Sequence, residues 1–246
     1  MRDTPLYRLN RQPRFSVNHL TKYLSTANAK QRENIIRDAK FPKKIPVSLY
    51  QQSKKAIQEF FSHGNGDISF FDEPLSRLAT KARRDEFARD EAIRCIKAIE
   101  AFKNIYSKRR WNMFRFGPSV ADIMLKVEGV AINVRLDANI TQITENQHLN
   151  SGGIVLFHAK TPESRKNIEL RRRQVSSLIL WSLGDQGNIE PLPRLCISFD
   201  VFGGELVKAT DSQSTFRTNV RSSCREAATM WPRVTPPADY DGPEWT

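Results

Sequence analysis

Apolar and polar positions alternate most regularly in the middle of the chain, over residues 130–140. The even-numbered positions of this segment are all apolar, whereas Asp137 and most other odd-numbered positions are polar. A period of two predicts a half-buried β-strand. A second segment, residues 152–160, is almost wholly apolar until it reaches His158 and Lys160. If these two strands are neighbours, an acid, an imidazole and an amine meet at one end of a sheet.

Further strands and one long helix are predicted around this centre. The helix follows the second segment, because Pro162 suits a first helical turn and the later half of the following stretch is strongly apolar. The Glu128-Gly129 and Gly203-Gly204 pairs favour tight hairpin turns. The predicted strands are residues 123–128, 130–140, 154–160, 195–202 and 205–209, and the predicted helix spans residues 163–183. The chain is therefore predicted to be α/β, with a central mixed sheet of about five strands flanked by helices.

The first part of the chain has the pattern of helices. Ser16 suits the N-cap of a first helix, Pro42 ends a second, and a turn beginning at Gly64 ends a third. Apolar residues recur at three- and four-residue steps over residues 85–106, which predicts a long amphipathic helix. We expect a basic arm and helical subdomain over residues 1–66, an α/β core over 67–230, and a flexible, Pro-rich acidic tail over 231–246.

Positive charge is the strongest compositional signal. The 246-residue chain carries a net charge of +12, and residues 1–60 hold 13 Lys and Arg against four Asp and Glu. An excess of this size favours polyanions and predicts nucleic acid as a partner, whereas a basic protein that is merely soluble is the alternative. The residues expected to bind nucleic acid are Arg11, Arg14, Lys43, Lys44, Arg109, Arg110, Arg171, Arg172 and Arg173.

Several basic segments allow more than one interpretation. Two short N-terminal helices suit either a helix-turn-helix-like DNA reader or a basic subdomain packed on the core, and the second is favoured. The basic run 108–110 beside Trp111 suits either base stacking or a helix C-terminus with Trp111 entering the core, which is favoured. Arginines 171–173 predict a solvated helix face that flanks Lys160 and forms a phosphate track.

Composition also excludes several classes of protein. No apolar run approaches the roughly 20 residues of a membrane span, and the basic N-terminus lacks the apolar core of a secretory signal. Cys95, Cys196 and Cys224 lie far apart, so neither a zinc site nor a disulfide framework is expected. A reducing, cytoplasmic setting is the simplest interpretation. The sequence has no P-loop, GxSxG or HExxH motif.

The predicted order of helix, three-stranded meander, helix and strand over residues 111–207 resembles the core of the PD-(D/E)XK nuclease superfamily, which has a restriction-endonuclease-like fold. The resemblance implies that Asp137 is the metal-binding acid and that Lys160 orients or activates the attacking water. It also implies that Gln174 supports the site from the following helix. The sequence departs from the family pattern at His158, where an acid is expected, and at Leu136, where a proline is expected.

The resemblance implies Mg²⁺ or Mn²⁺ as cofactor, with Asp137, His158 and Glu128 as ligands. Carboxylates suit Mg²⁺, and a histidine suits Mn²⁺ or a softer metal; Glu169 is a further source of a carboxylate. Three functions remain open: a metal-dependent nuclease, a catalytically inactive nuclease fold that binds nucleic acid, or a regulatory or toxin-like defence effector that acts through protein partners. For the last, the aromatic, acidic tail is expected to dock on a basic groove of this chain or another.

Overall fold

The computed structural model describes residues 5–44, 50–64, 66–84, 86–111, 114–118, 122–143, 149–157, 165–187 and 190–245. The predicted α/β class, with a mixed five-stranded sheet flanked by helices, is confirmed. The chain forms two compact units, each assembled from segments that are distant in sequence. Unit 1 comprises Met1–Val47, Asp122–Arg135 and Asp211–Thr246, and unit 2 comprises Ser48–Ala121 and Leu136–Thr210.

The described elements are numbered here in chain order. The strands are β1 (Arg14–Ser16), β2 (Arg115–Gly117), β3 (Ile123–Val127), β4 (Val130–Val134), β5 (Ala138–Ile143), β6 (Leu149–Phe157), β7 (Pro191–Asp200) and β8 (Glu205–Lys208). The helices are α1 (Val17–Ser25), α2 (Ala29–Lys40), α3 (Gln51–His63), α4 (Asp72–Arg84), α5 (Glu86–Ser107), α6 (Arg165–Asp185) and α7 (Ser214–Met230). Short 3-10 helices, Ile68–Phe71 and Trp231–Arg233, precede α4 and follow α7.

Unit 1 contains a three-stranded sheet in the order β1-β4-β3, together with α1, α2 and α7. Strand β1 runs parallel to β4, and β3 forms an antiparallel hairpin with it. The hydroxyl of Ser16 accepts the backbone N–H of His19, which confirms the predicted N-cap of α1. Phe15 of β1 is buried against Trp231, with the two ring centroids 6.0 Å apart. The C-terminal segment therefore contributes to the core of this unit.

Unit 2 contains the five-stranded sheet, in the order β2-β5-β6-β7-β8. Neighbouring strands are antiparallel except β6 and β7, which are parallel and are joined by α6. Helices α3 and α5 cover one face of the sheet with apolar side chains that include Phe60 and Phe102. The ring of Phe102 lies 5.0 Å from that of Phe199 on β7. Helix α6 packs against β6 and β7 through Val175 and Leu178, which are fully buried.

The segment 130–140 is not one strand, as the alternation predicts, but two strands in different sheets. Strand β4 ends at Val134 in unit 1, and β5 begins at Ala138 in unit 2. Leu136, Asp137 and Ala138 are buried in succession, which a strand with two alternating faces does not allow. The predicted meander is therefore corrected, because β2, not the 123–128 strand, pairs with β5.

Other boundaries also differ from the prediction. Helix α3 belongs to unit 2 and not with the N-terminal helices, and the segment 231–245 is packed within unit 1. Helix α4 was not predicted, because Leu78 is its one buried residue and its apolar pattern is correspondingly weak. Among the described residues, no helix is both long and apolar enough to cross a membrane.

Candidate functional site

Asp137 is the centre of a buried polar cluster in unit 2. Its side chain is fully shielded from solvent, although it carries a carboxylate. Oδ1 accepts a hydrogen bond from Nε2 of Gln58 at 2.7 Å and lies 2.9 Å from Nζ of Lys54. Oδ2 accepts the backbone N–H of Leu156 at 2.7 Å. Both oxygens are therefore satisfied by protein groups, as a buried carboxylate requires.

Helix α3 supplies two of these partners. Lys54 and Gln58 are four residues apart, so they project from the same face of the helix. Ile57 and Phe60, on a neighbouring face, are buried in the core and fix the helix against the sheet. The side chain of Lys54 is 38% exposed, so the ion pair joins a buried carboxylate to a solvent-accessible ammonium group.

Asp137 also lies beside the end of the neighbouring strand. Its backbone N–H donates to the carbonyl oxygen of Ile154 at 2.7 Å, one residue before the Ala138–Ile154 pair of β5 and β6. The description of β6 ends at Phe157. His158 and Lys160 lie outside the described residues, so their meeting with Asp137 and their implied roles stay predictions.

Gln174, the residue implied to support the site, lies on α6. It is buried, and its Oε1 accepts no hydrogen bond from any residue that the structure describes. Arg171, three residues earlier on the same face, places its guanidinium 5.1 Å from the ring centroid of Phe157. Helix α6 is thus anchored at the described end of β6 by an arginine–aromatic contact.

The expectation of a solvated arginine face on α6 is corrected. Arg171 and Arg172 are buried, with 8% and 6% of their surfaces exposed. Arg172 forms ion pairs with Glu205 and, at 2.9 Å, with Asp200. Remote acids on β7 and β8 therefore draw Arg172 inward. Arg173 is exposed and pairs with Glu169, four residues earlier on the helix, at 2.5 Å.

The described residues do not fit the implied Mg²⁺ or Mn²⁺ site. They contain no group of three His, Cys, Asp or Glu side chains that could hold a metal ion. Asp137 is engaged by Lys54 and two other donors. Glu128, expected as a ligand, lies in the β3–β4 turn of unit 1 and pairs with Arg225 at 3.2 Å. The metal therefore stays a prediction.

The cysteines offer no alternative nucleophile. Cys95, Cys196 and Cys224 are free and buried, as the sequence predicts. Burial raises the pKa of Cys196 and of Cys224 to about 12, so both thiols are protonated at neutral pH.

Several of the expected N-terminal cations are engaged by the C-terminal segment of unit 1. Arg11 donates to the carbonyl oxygen of Glu244 at 3.2 Å, and Nζ of Lys43 lies 3.7 Å from Asp239. Lys44 donates its backbone N–H to the carbonyl oxygen of Leu6, and Arg14 is exposed at the start of β1.

The aromatic, acidic tail docks on the N-terminal segment of the same unit. Asp241 accepts the backbone N–H groups of Leu6 and Tyr7, at 2.8 Å for Leu6 and 3.1 Å for Tyr7. The Tyr7 hydroxyl donates to Asp239, and this hydrogen bond is the largest cause of the lowered pKa of Asp239. Tyr240 packs edge-on against Phe41. Within unit 1, the tail therefore has an intramolecular binding site.

A different basic cluster in unit 2 has no such partners. Lys108, Arg109 and Arg110 follow the C-terminus of α5, and Arg115 begins β2. All four side chains are exposed. None forms an ion pair with an acid in the described part of the chain, whereas Lys54, Arg172 and Arg173 all do. We call these four residues the basic edge.

The basic edge borders a cleft of about 760 Å³ with aromatic walls. The rings that line it belong to Phe60, Phe61, Tyr106, Trp111, Phe114 and Phe116. Trp111 stacks on Tyr106, with ring centroids 5.1 Å apart and planes inclined by 7°. Trp111 is half-buried and packs on the core, as predicted, but it also lines this aromatic cleft.

Lys54, Gln58 and the aromatic cleft were missed from the sequence. The four-residue spacing of Lys54 and Gln58 is visible, but nothing in it points to Asp137, which is 79 positions away from Gln58. No known family model matches the chain, and no curated protein sequence matches it.

Proposed function

We propose that this chain is a nucleic-acid-binding protein and that the basic edge contacts the phosphate backbone. The proposal is carried by one observation: four exposed cations cluster without an acidic partner among the described residues. Like charges at close range repel, and a phosphate backbone relieves that repulsion while releasing counterions. The net charge of +12 supports the same partner. Three free cysteines support the proposed reducing, cytoplasmic setting.

The salt dependence of binding tests this proposal. Fluorescence anisotropy with labelled single- and double-stranded oligonucleotides gives the affinity at several salt concentrations. We expect log K to fall linearly with log salt, and the double variant Arg109→Ala/Arg110→Ala to reduce the slope. If both arginines contact phosphates, the reduction is about 1.4 for single strands and about 1.8 for duplex DNA.

A matched control removes the same charge elsewhere in unit 2. Arg83 and Arg84 are exposed and precede α5, whereas Arg109 and Arg110 follow it. The 22 residues of α5 separate the two pairs by about 33 Å. Arg83→Ala/Arg84→Ala should leave the slope near the wild-type value. Equal losses in both double variants, or an affinity that is independent of salt, would contradict a binding site at the basic edge.

Hydrolysis of phosphodiester bonds is the second candidate function. It is favoured by the position of Asp137, a buried carboxylate beside the end of β6 with a lysine 2.9 Å away. The described residues do not form a metal site, so no step through a metal ion is derived from them.

A cleavage assay separates the enzyme from the binding protein. Single- and double-stranded DNA and RNA are incubated with Mg²⁺ or Mn²⁺, using wild type, Asp137→Ala and Lys160→Ala. Hydrolysis at this site predicts cleavage by wild type that both substitutions abolish. Cleavage that survives in both variants would remove Asp137 and Lys160 from the reaction. Binding without cleavage in any metal would leave the nucleic-acid-binding function alone.

A further inference from the structure

The geometry points to a base-binding site in the aromatic cleft: an unstacked nucleobase from a single-stranded segment of nucleic acid inserts among its rings. This inference rests on the proposed nucleic-acid binding and names the form of nucleic acid that the site selects. In duplex nucleic acid the base faces are occupied by stacking, whereas a single strand presents them.

The aromatic walls supply the stacking surface. The volume of about 760 Å³ lies within the range of about 300–1,000 Å³ that is usual for sites that bind small molecules. Tyr106 and Phe60 are buried and form a rigid base, whereas Trp111, Phe114 and Phe116 are only half-buried. The half-buried rings keep part of their surface open to the cleft.

Trp111 is held in position before any ligand arrives. Its Nε1 donates to the carbonyl oxygen of Tyr106 at 2.9 Å, and its indole is stacked on the ring of the same residue. Phe116 meets it at 62°, with ring centroids 5.5 Å apart. A ring that is already fixed loses little conformational entropy on binding, so it is well suited to stack against a base.

Charge distinguishes this occupant from an apolar peptide. Arg109 and Arg115 both line the cleft, both are exposed, and neither pairs with an acid in the described ranges. A guanidinium group binds phosphate through two parallel hydrogen bonds and also stacks on aromatic faces. Aromatic walls with two free arginines at the margin match a base and its flanking phosphates.

The cleft and the Asp137 cluster lie along the same helix. Ser62 of α3 lines the cleft, and Gln58, one turn earlier, donates to Asp137. The corresponding distance along the helix axis is about 6 Å. A base held in the cleft would therefore bring the neighbouring backbone towards Asp137 and Lys54.

An oligonucleotide without bases tests this inference on the wild-type protein. Oligothymidylate and an abasic oligomer of the same length carry the same charge, and only the first can stack. We expect oligothymidylate to bind about tenfold more tightly, the loss typical of one stacked base. Trp111→Leu should remove most of this preference, Trp111→Tyr should retain much of it, and duplex binding should change little in either variant.

Two further measurements keep the test decisive. Arg115→Gln alters an exposed side chain outside the core and should weaken binding of both oligomers, whereas Arg83→Gln should not. Circular dichroism shows whether the Trp111 variants are folded. Equal binding of the two oligomers by wild type, with salt dependence intact, would overturn the base site but not the proposed function. Absence of salt-dependent binding would overturn both, and a protein ligand that competes at the cleft without any oligonucleotide binding would replace them.

Discussion

Replacing Asp137 should destabilise unit 2 by an amount that its contacts predict. Asp137→Ala leaves the backbone N–H of Leu156 buried without its acceptor, which costs about 1–3 kcal/mol. The ion pair with Lys54 adds at most about 1 kcal/mol, because the lysine side chain is 38% exposed and screened by solvent. The expected total is about 2–4 kcal/mol, which urea unfolding followed by circular dichroism measures as the loss in free energy of unfolding.

Asp137→Asn separates the hydrogen bond from the charge. The amide oxygen of asparagine can still accept the Leu156 N–H, so the expected loss is about 1 kcal/mol, close to the value of the ion pair alone. A double-mutant cycle with Lys54→Met should give a coupling energy no larger than that. If Asp137→Ala unfolds at the wild-type free energy, the carboxylate does not hold β6 in place. If the Asn and Ala variants lose the same amount, charge outweighs the hydrogen bond and the estimate is wrong.

Three further predictions concern packing and the tail. Gly152→Ala should cost about 1–3 kcal/mol in urea unfolding, because its Cβ would overlap the backbone of Leu195 on β7. The hydrogen bond from Tyr7 lowers the pKa of Asp239 below its ordinary 3.8, so the stability lost in Tyr7→Phe should be evident above pH 3.8 and vanish as the pH falls through the lowered pKa. Deleting residues 239–246 should raise non-specific oligonucleotide affinity at low salt, measured by anisotropy, because it frees N-terminal cations.

Local patterns in the sequence predicted local structure well. The N-cap at Ser16, the long helix α5 and the apolar half of α6 follow from nearest-neighbour rules, and the structure contains all three. The change of sheet between Val134 and Ala138 was invisible, because the even-numbered positions are apolar on both sides of it. Pairing with β1, more than 100 positions earlier, decides where β4 belongs, and no local period reports it.

The candidate site was only partly predictable for a related reason. Asp137 could be selected as a polar residue on a strand, but its partner Lys54 comes from a helix that the sequence assigned to another subdomain. Arg172 lay in a strongly polar stretch and therefore suggested solvent exposure, although Asp200 draws it inward. Side-chain pairing between distant elements depends on the fold, so a polar residue alone does not indicate whether it is solvated or buried.

Hydrogen exchange with and without an oligonucleotide tests the proposed nucleic-acid interface most directly. Amide protection measured on the full chain reports which backbone segments a bound strand covers. A single-stranded oligonucleotide should protect β2 and the residues that follow the C-terminus of α5, including those next to Trp111. Segments around Arg83 and the tail should exchange at the same rate in both states. Protection confined to unit 1, with none at β2 or the basic edge, would contradict the proposed interface.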